Sequence, residues 1–138
     1  MADLGTTASI IAVLQAAAIA IQYLKDVKAG PTDRTRLREE MRCSVLVLEM
    51  IRDRLEDSAG HITSRSAAME AFAAPHGPLS LFKQLAEDIV AKLAPQDRLR
   101  RLAQPFRWPF DKKSVHEMLA TLERLKANFN LVTQNELV

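Results

Sequence analysis

The spacing of apolar residues predicts a long first helix without charge. From Leu4 to Leu24 no residue is charged, and apolar residues recur every three or four positions, as on one side of a helix. The main apolar stripe consists of Ile10, Val13, Leu14, Ala17, Ile21 and Leu24. The opposite stripe is weakly polar and consists of Ala8, Gln15, Gln22 and Asp26. We expect this helix to end near Gly30-Pro31, because proline disfavours helical geometry in the residue before it.

The same periodicity predicts three further main helices. The second runs from about Asp33 to Ser58, with apolar positions at Leu37, Met41, Val45 or Ser44, Leu48, Ile51 and Leu55. The third runs from about Leu79 to Leu93, with Leu79, Phe82, Leu85, Ile89 and Leu93 on one side. The last begins after an N-cap at Asp111, or at a capping box over 114–117. Its apolar positions are Val115, Met118, Leu119, Leu122, Leu125, Phe129 and Val132.

Together these elements predict an all-α bundle of four to five helices with a long apolar N-terminal helix. A short helix is expected over 64–72, and one further helical turn over 97–104. Short breaks between the helices favour a bundle. The 138 residues, 48% of them apolar, form one typical domain, so 1–138 is read as a single unit.

The titratable residues give little support to an enzyme. The three histidines, His61, His76 and His116, lie far apart in the sequence and are expected on the surface or in loops. The only cysteine, Cys43, is expected to be a small packed residue, and its lack of a partner favours a reducing, cytoplasmic compartment. No glycine-rich phosphate loop or metal-ligand spacing occurs, so no cofactor is expected.

The uncharged run can be interpreted in two ways. As a helix it is roughly 31 Å long, close to the thickness of a bilayer core. Its eight Leu, Ile and Val residues contribute about −2 to −5 kcal/mol to insertion, which its glutamine, serine and threonine residues oppose. With a sum near zero, the run fits a conditional membrane inserter or a core helix of a bundle.

A basic stretch near the last helix is the second candidate. The stretch contains a single acid, Asp111, and three aromatic residues, Phe106, Trp108 and Phe110. Its six basic residues are Arg98, Arg100, Arg101, Arg107, Lys112 and Lys113. Such a stretch suits an anionic lipid surface or a nucleic-acid backbone. Alternatively, the aromatic residues close the end of the bundle and the arginines are solvated. Nucleic acid is the least favoured partner, because the net charge is only +2.

The segment Trp108-Pro109-Phe110-Asp111-Lys112-Lys113, followed by Leu122-Glu123-Arg124-Leu125-Lys126, resembles the fungal HeLo-like N-terminal domain of NOD-like, or STAND, proteins. Three further segments agree with this family pattern: 8–15 and 23–27 near the start of the chain, and Gly77-Pro78-Leu79. The resemblance covers nearly the whole chain, although Ser114 stands where the family pattern has an acid.

This resemblance implies regulated cell death. In related domains a downstream nucleotide-binding module or an amyloid template clusters the bundle, and the N-terminal helix then permeabilises the membrane. Carried over to this chain, the membrane-active residues are Leu4, Gly5, Ile10, Ile11, Val13, Leu14, Ile19, Ile21 and Leu24. We therefore expect self-association, contact with anionic lipids and movement from cytoplasm to plasma membrane, with this domain heading a longer protein. The alternative is a soluble homotypic interaction or autoinhibitory module without a membrane step.

Overall fold

The computed structural model describes residues 2–27, 31–57, 67–93 and 108–136. Within these ranges the chain forms helices and no strand, which confirms the predicted all-α bundle. The helices are α1 (Ala2–Asp26), α2 (Pro31–Asp57), α3 (Ala67–Ala73), α4 (Pro78–Leu93) and α5 (Lys112–Glu136). The turn predicted over 97–104 lies outside the described residues.

The four long helices pack around one shared core. α1 packs against α2 and α4, and α5 packs against α2 and α4, while short α3 lies against α4 and α5. α1 and α2 are antiparallel, because Arg34 near the start of α2 bonds to carbonyls at the end of α1. α4 and α5 are also antiparallel: Phe82 near the start of α4 contacts Phe129 near the end of α5.

An aromatic cluster fixes α3 and α4 against α5. The ring of Phe129 meets Phe72 and Phe82 edge to face, with centroids 5.6 and 5.8 Å apart. All three side chains are fully buried. Edge-to-face pairs contribute about 0.5–1.5 kcal/mol each beyond the burial of their area.

Most predicted core positions are buried, and the differences fall at helix flanks. On α2 it is Ser44 that is buried, with its hydroxyl donating to the Glu40 carbonyl oxygen at 3.1 Å, while Val45 is half-buried. Leu85 and Met118 are half-buried against the core, and Ala86 is buried instead. Small residues can occupy core positions where helix backbones approach closely.

Two predicted details are wrong. α1 ends at Asp26 rather than near Gly30, and Arg34 donates hydrogen bonds to the carbonyls of Leu24 and Lys25 in its last turn. Cys43 is exposed rather than packed. It precedes buried Ser44, and each residue turns a helix by about 100°, which carries Cys43 outward.

The turn before α4 depends on two unusual backbone positions. His76 has a φ of 65°, which a β-turn with Pro75 before it accommodates. At Gly77 a Cβ atom would overlap the carbonyl oxygen of Ala71, so only glycine fits there. His76 and His116 are exposed, as predicted, whereas His61 lies outside the described residues.

We expect Phe129→Ala to destabilise the domain by about 3–5 kcal/mol, because it removes a buried ring that joins three helices. The free energy of unfolding from urea denaturation checks this value. The matched control is Leu131→Ala on the same helix, where the side chain is 51% exposed, and its effect should stay within about 0.5 kcal/mol. Equal losses for the two variants would contradict this account of the core.

Candidate functional site

One side of α1 belongs to the core. Its fully or nearly fully buried apolar residues are Ile10, Val13, Ala17, Ala20 and Leu24. They recur every three or four positions and face α2 and α4. Thr6 is also buried, one turn before Ile10. This burial agrees with the interpretation of the run as a core helix.

The other side of α1 faces outward without a charge. Between Gly5 and Leu24 its exposed positions are Gly5, Ala8, Ser9, Ile11, Gln15, Ala18, Ile19 and Gln22. Ile11 is 38% exposed and Ile19 is 50% exposed. We call these positions the uncharged α1 face. It spans about 25 Å, from the rise of 1.5 Å per residue.

By length and composition, Gly5–Asp26 is apolar enough to cross a membrane, and 28% of its most apolar stretch is buried. A core helix of a soluble protein passes the same test but is mostly buried. The α1 helix is therefore intermediate: between Gly5 and Leu24 six positions are buried, six are half-buried, and eight are exposed to an outside partner.

The residues predicted to act on a membrane divide into three groups. Ile10, Val13 and Leu24 are buried, and Leu14 and Ile21 are half-buried. Gly5, Ile11 and Ile19 are exposed. The side chain of Leu4 lies outside the described residues. The exposed group can meet a partner without any change in the bundle, whereas the buried group cannot.

Arg34 anchors the far end of α1, which the sequence analysis missed. Its Nη1 atom donates hydrogen bonds to the carbonyl oxygens of Leu24 at 3.2 Å and Lys25 at 3.0 Å. Carbonyls in the last turn of a helix are the negative end of its dipole, where an arginine is a favourable partner. An arginine early in the next helix is the sequence signal for such a contact, but the hairpin geometry is needed to recognise it.

The tryptophan motif lies at the α4–α5 end of the bundle. Trp108 and Phe110 meet edge to face, with centroids 5.1 Å apart. Phe110 is buried, Trp108 is half-buried, and the Lys92 ammonium lies 5.5 Å from the Phe110 ring centroid. Pro109 between them is exposed. This arrangement agrees with aromatic residues that close the end of the bundle.

The basic stretch is described only in part. Lys112 and Lys113 are exposed in the first turn of α5, where they are available to an anionic surface. Arg98, Arg100, Arg101 and Arg107 lie outside the described residues, as does Phe106. Lys92, which the sequence analysis did not select, adds a third cation at the same end of the bundle.

Asp111 caps α5, as predicted. Its Oδ1 atom accepts a hydrogen bond from the backbone N–H of Ser114 at 2.7 Å, and α5 begins at Lys112. This bond, the Ser114 side chain and the charges of Lys113 and Lys92 hold the pKa of the Asp111 carboxyl below its ordinary value.

A shallow groove lies beside this end of the bundle. It has a volume of about 430 Å³, and Leu85, Phe110 and Met118 form its apolar part. Asp88, Lys92 and Glu117 are its charged residues. Among the described residues, no three or more His, Cys, Asp or Glu side chains converge as metal ligands. With Ile11 and Ile19 exposed, the uncharged α1 face is the candidate surface for function.

Comparisons with protein-family models, with curated proteins and with solved structures find no match to this chain.

Asp111→Ala should lower the melting temperature at neutral pH, because it removes the cap and the charge at the start of α5. A lowered carboxyl pKa stabilises the folded state above the unfolded pKa of about 3.9, and this contribution is lost as pH falls through the folded pKa. The deficit of the Ala variant should therefore shrink below about pH 4.

Thermal denaturation followed by circular dichroism across pH measures this dependence. Asp111→Asn is the control, because it keeps a capping oxygen without a titrating charge and should show a smaller deficit at neutral pH. A deficit of Asp111→Ala that does not change between neutral and acid pH would contradict the role of the charged carboxylate.

Proposed function

We propose that this domain is a membrane-active signalling module in which α1 is held in the bundle at rest and meets the membrane when copies of the domain are clustered. The observation that carries the proposal is the uncharged α1 face, with Ile11 and Ile19 exposed.

The contrast with α2 supports an apolar partner for this face. An outward helix face in a bundle is usually charged or polar. The outward side of α2 carries charges at positions such as Arg36, Arg42 and Asp57, around exposed Leu46 and Met50. α1 has a comparable length but lacks any charge from Gly5 to Leu24. Its outward face is thus poorly adapted to permanent contact with water alone.

The dimensions of α1 favour lipid as this partner. Its uncharged run matches the roughly 30 Å hydrocarbon core of a bilayer, and its insertion free energy is near zero. Clustering offsets this marginal term, because several inserted copies can place Gln15 and Gln22 against each other instead of against lipid.

Burial of the opposite side of α1 is what holds this helix in the bundle at rest. Removing Ile10, Val13 and Leu24 from the core costs roughly 5–9 kcal/mol at 1.5–3 kcal/mol per side chain. That cost is comparable with the whole stability of a typical domain. An isolated copy therefore keeps α1 docked, and release requires a trigger, such as clustering by a downstream nucleotide-binding module.

Within this proposal, exposed Lys112 and Lys113 bring the domain to anionic lipid, each contributing about 1 kcal/mol near such a surface. The protein rests in the cytoplasm and moves to the plasma membrane, and the outcome is programmed cell death of the kind that the HeLo-like resemblance implies. The domain itself performs no catalysis and needs no cofactor.

The second candidate is a soluble homotypic interaction or autoinhibitory module. It is favoured by the burial of Ile10 and Val13, which makes α1 a genuine core helix, and by exposed apolar residues elsewhere, such as Leu46. In this case another protein covers the uncharged α1 face and the bundle never opens.

The test is dye release from liposomes, with and without anionic lipid, using domains clustered on a fused oligomer. Ile19→Asp should abolish release, because the change costs up to about 3–4 kcal/mol per inserted helix. Ile19 is 50% exposed, so the folded bundle tolerates the change, whereas a charge at Val13, 2% exposed, would unfold it. Circular dichroism verifies the fold of each variant.

Leu131→Asp is the matched control, because Leu131 is 51% exposed on α5 and lies outside the proposed membrane helix. It should leave dye release unchanged. Release that survives Ile19→Asp in a folded protein would overturn the role of α1. No release from the clustered wild-type domain would leave the interaction module as the function.

A further inference from the structure

Hydrogen bonds from Arg34 join the start of α2 to the end of α1. Its Nη1 atom donates to the carbonyl oxygens of Leu24 at 3.2 Å and Lys25 at 3.0 Å, so one donor atom meets two successive peptide groups. Its Nε atom is buried and has no hydrogen-bond partner among the described residues. In that part of the chain no ion pair includes Arg34 either. The α1 carbonyls are thus the acceptors that hold this guanidinium, and we call the two hydrogen bonds the Arg34 clamp.

The Arg34 clamp lies at the point about which α1 has to turn in order to leave the bundle. α1 ends at Asp26 and α2 begins at Pro31, and these five residue steps span at most roughly 17 Å even when fully extended. The end of α1 therefore stays near the start of α2, whatever the rest of the helix does. Val27, directly after α1, is itself buried in the core. Release of α1 is consequently a rotation about this short connection.

Such a rotation breaks the Arg34 clamp. Backbone carbonyls point along the helix axis, so the two acceptors turn with α1. Arg34 belongs to α2, which stays in place through Leu37 and Met41, both fully buried in the core. Hydrogen bonds weaken steeply when the donor and the acceptor lose their alignment. The clamp and the released position of α1 therefore exclude each other.

The apolar contacts of α1 distinguish poorly between the bundle and a bilayer. Ile10, Val13 and Leu24 are removed from water in the core, and lipid tails, which are as apolar as leucine, remove them from water as well. The Arg34 clamp does make the distinction, because its guanidinium remains on α2 when α1 leaves. The clamp thus favours the docked position of α1 alone.

We propose that the Arg34 clamp regulates α1: while it is formed, α1 stays docked against α2 and α4, and its loss makes release easier. The inference rests on the proposed function, because the clamp is the contact that a trigger has to break there. The effect of the clamp on docking is nevertheless a property of the bundle and needs no membrane. Arg34 is a positioning residue, since it acts only through α1.

The first measurement is amide hydrogen exchange of the 138-residue chain without lipid, read by mass spectrometry of peptides from α1 and α5. Arg34→Met keeps the apolar part of the side chain but removes its charge and its donors. Exchange in α1 should become about tenfold faster, because a hydrogen bond to a charged group changes an opening equilibrium by at least this factor. Exchange in α5 should accelerate by less than about threefold, because α1 opens as a separate unit.

Lys126→Gln is the matched control. Lys126 donates to Glu40 at 3.1 Å, so this variant removes a charged contact that joins α2 to α5 instead of α1. It should leave exchange in α1 unchanged. Arg34→Lys should give an exchange rate in α1 between those of the wild type and Arg34→Met, because the ammonium keeps a charged donor near the carbonyls.

Circular dichroism verifies that each variant is folded, and Arg34→Lys carries the same comparison if Arg34→Met does not fold. Unchanged exchange in α1 after loss of the clamp would refute its role. Equal acceleration in α1 and α5 would refute it too, because Arg34 would then support the whole bundle and not the docking of one helix.

Dye release from anionic liposomes separates this inference from the membrane proposal. Arg34→Met clustered on a fused oligomer should reach half-maximal release at a several-fold lower protein concentration than the wild type, whereas Lys126→Gln should not. Faster exchange in α1 without release from any clustered protein rejects the membrane step and keeps the clamp. Release from the clustered wild type, with α1 exchange that Arg34→Met leaves unchanged, rejects the clamp and keeps the role of α1.

Discussion

The burial of one side of α1 between α2 and α4 is the interaction on which the arrangement of the bundle depends. A helix without charge for five turns cannot remain alone in water, and two neighbours cover it only on the side of Ile10, Val13 and Leu24. α5 completes the core from the opposite side, through its contacts with α2 and α4. The remaining face of α1 stays apolar, so the fold and the proposed function rest on the same helix.

Periodicity predicted the helices because their apolar stripes are regular. Leu37, Met41, Leu48 and Ile51 are spaced as one face of a helix requires, and all are fully buried. The pattern could not choose between Ser44 and Val45, because a serine that bonds to the carbonyl one turn earlier can be buried at little cost. The contact of Arg34 with the end of α1 joins two helices, so no local pattern contains it.

The lack of charge in the candidate site was predictable from the sequence, but the division of its apolar residues into buried and exposed ones was not. Sequence showed that the first helix lacks charge and put Ile21, but not Ile19, on its main apolar stripe, yet both residues were expected to act on a membrane. Packing divides them: Ile21 contacts the core and Ile19 faces outward.

The aromatic residues have a spectroscopic consequence. The chain contains one tyrosine and one tryptophan. Tyr23 belongs to α1 and packs partly against the core, whereas Trp108 lies beside Phe110 before α5. Energy transfer from Tyr23 to Trp108 therefore depends on the distance between the proposed mobile helix and the end of the bundle that carries the basic residues. Native fluorescence can follow the position of α1 in the unlabelled protein.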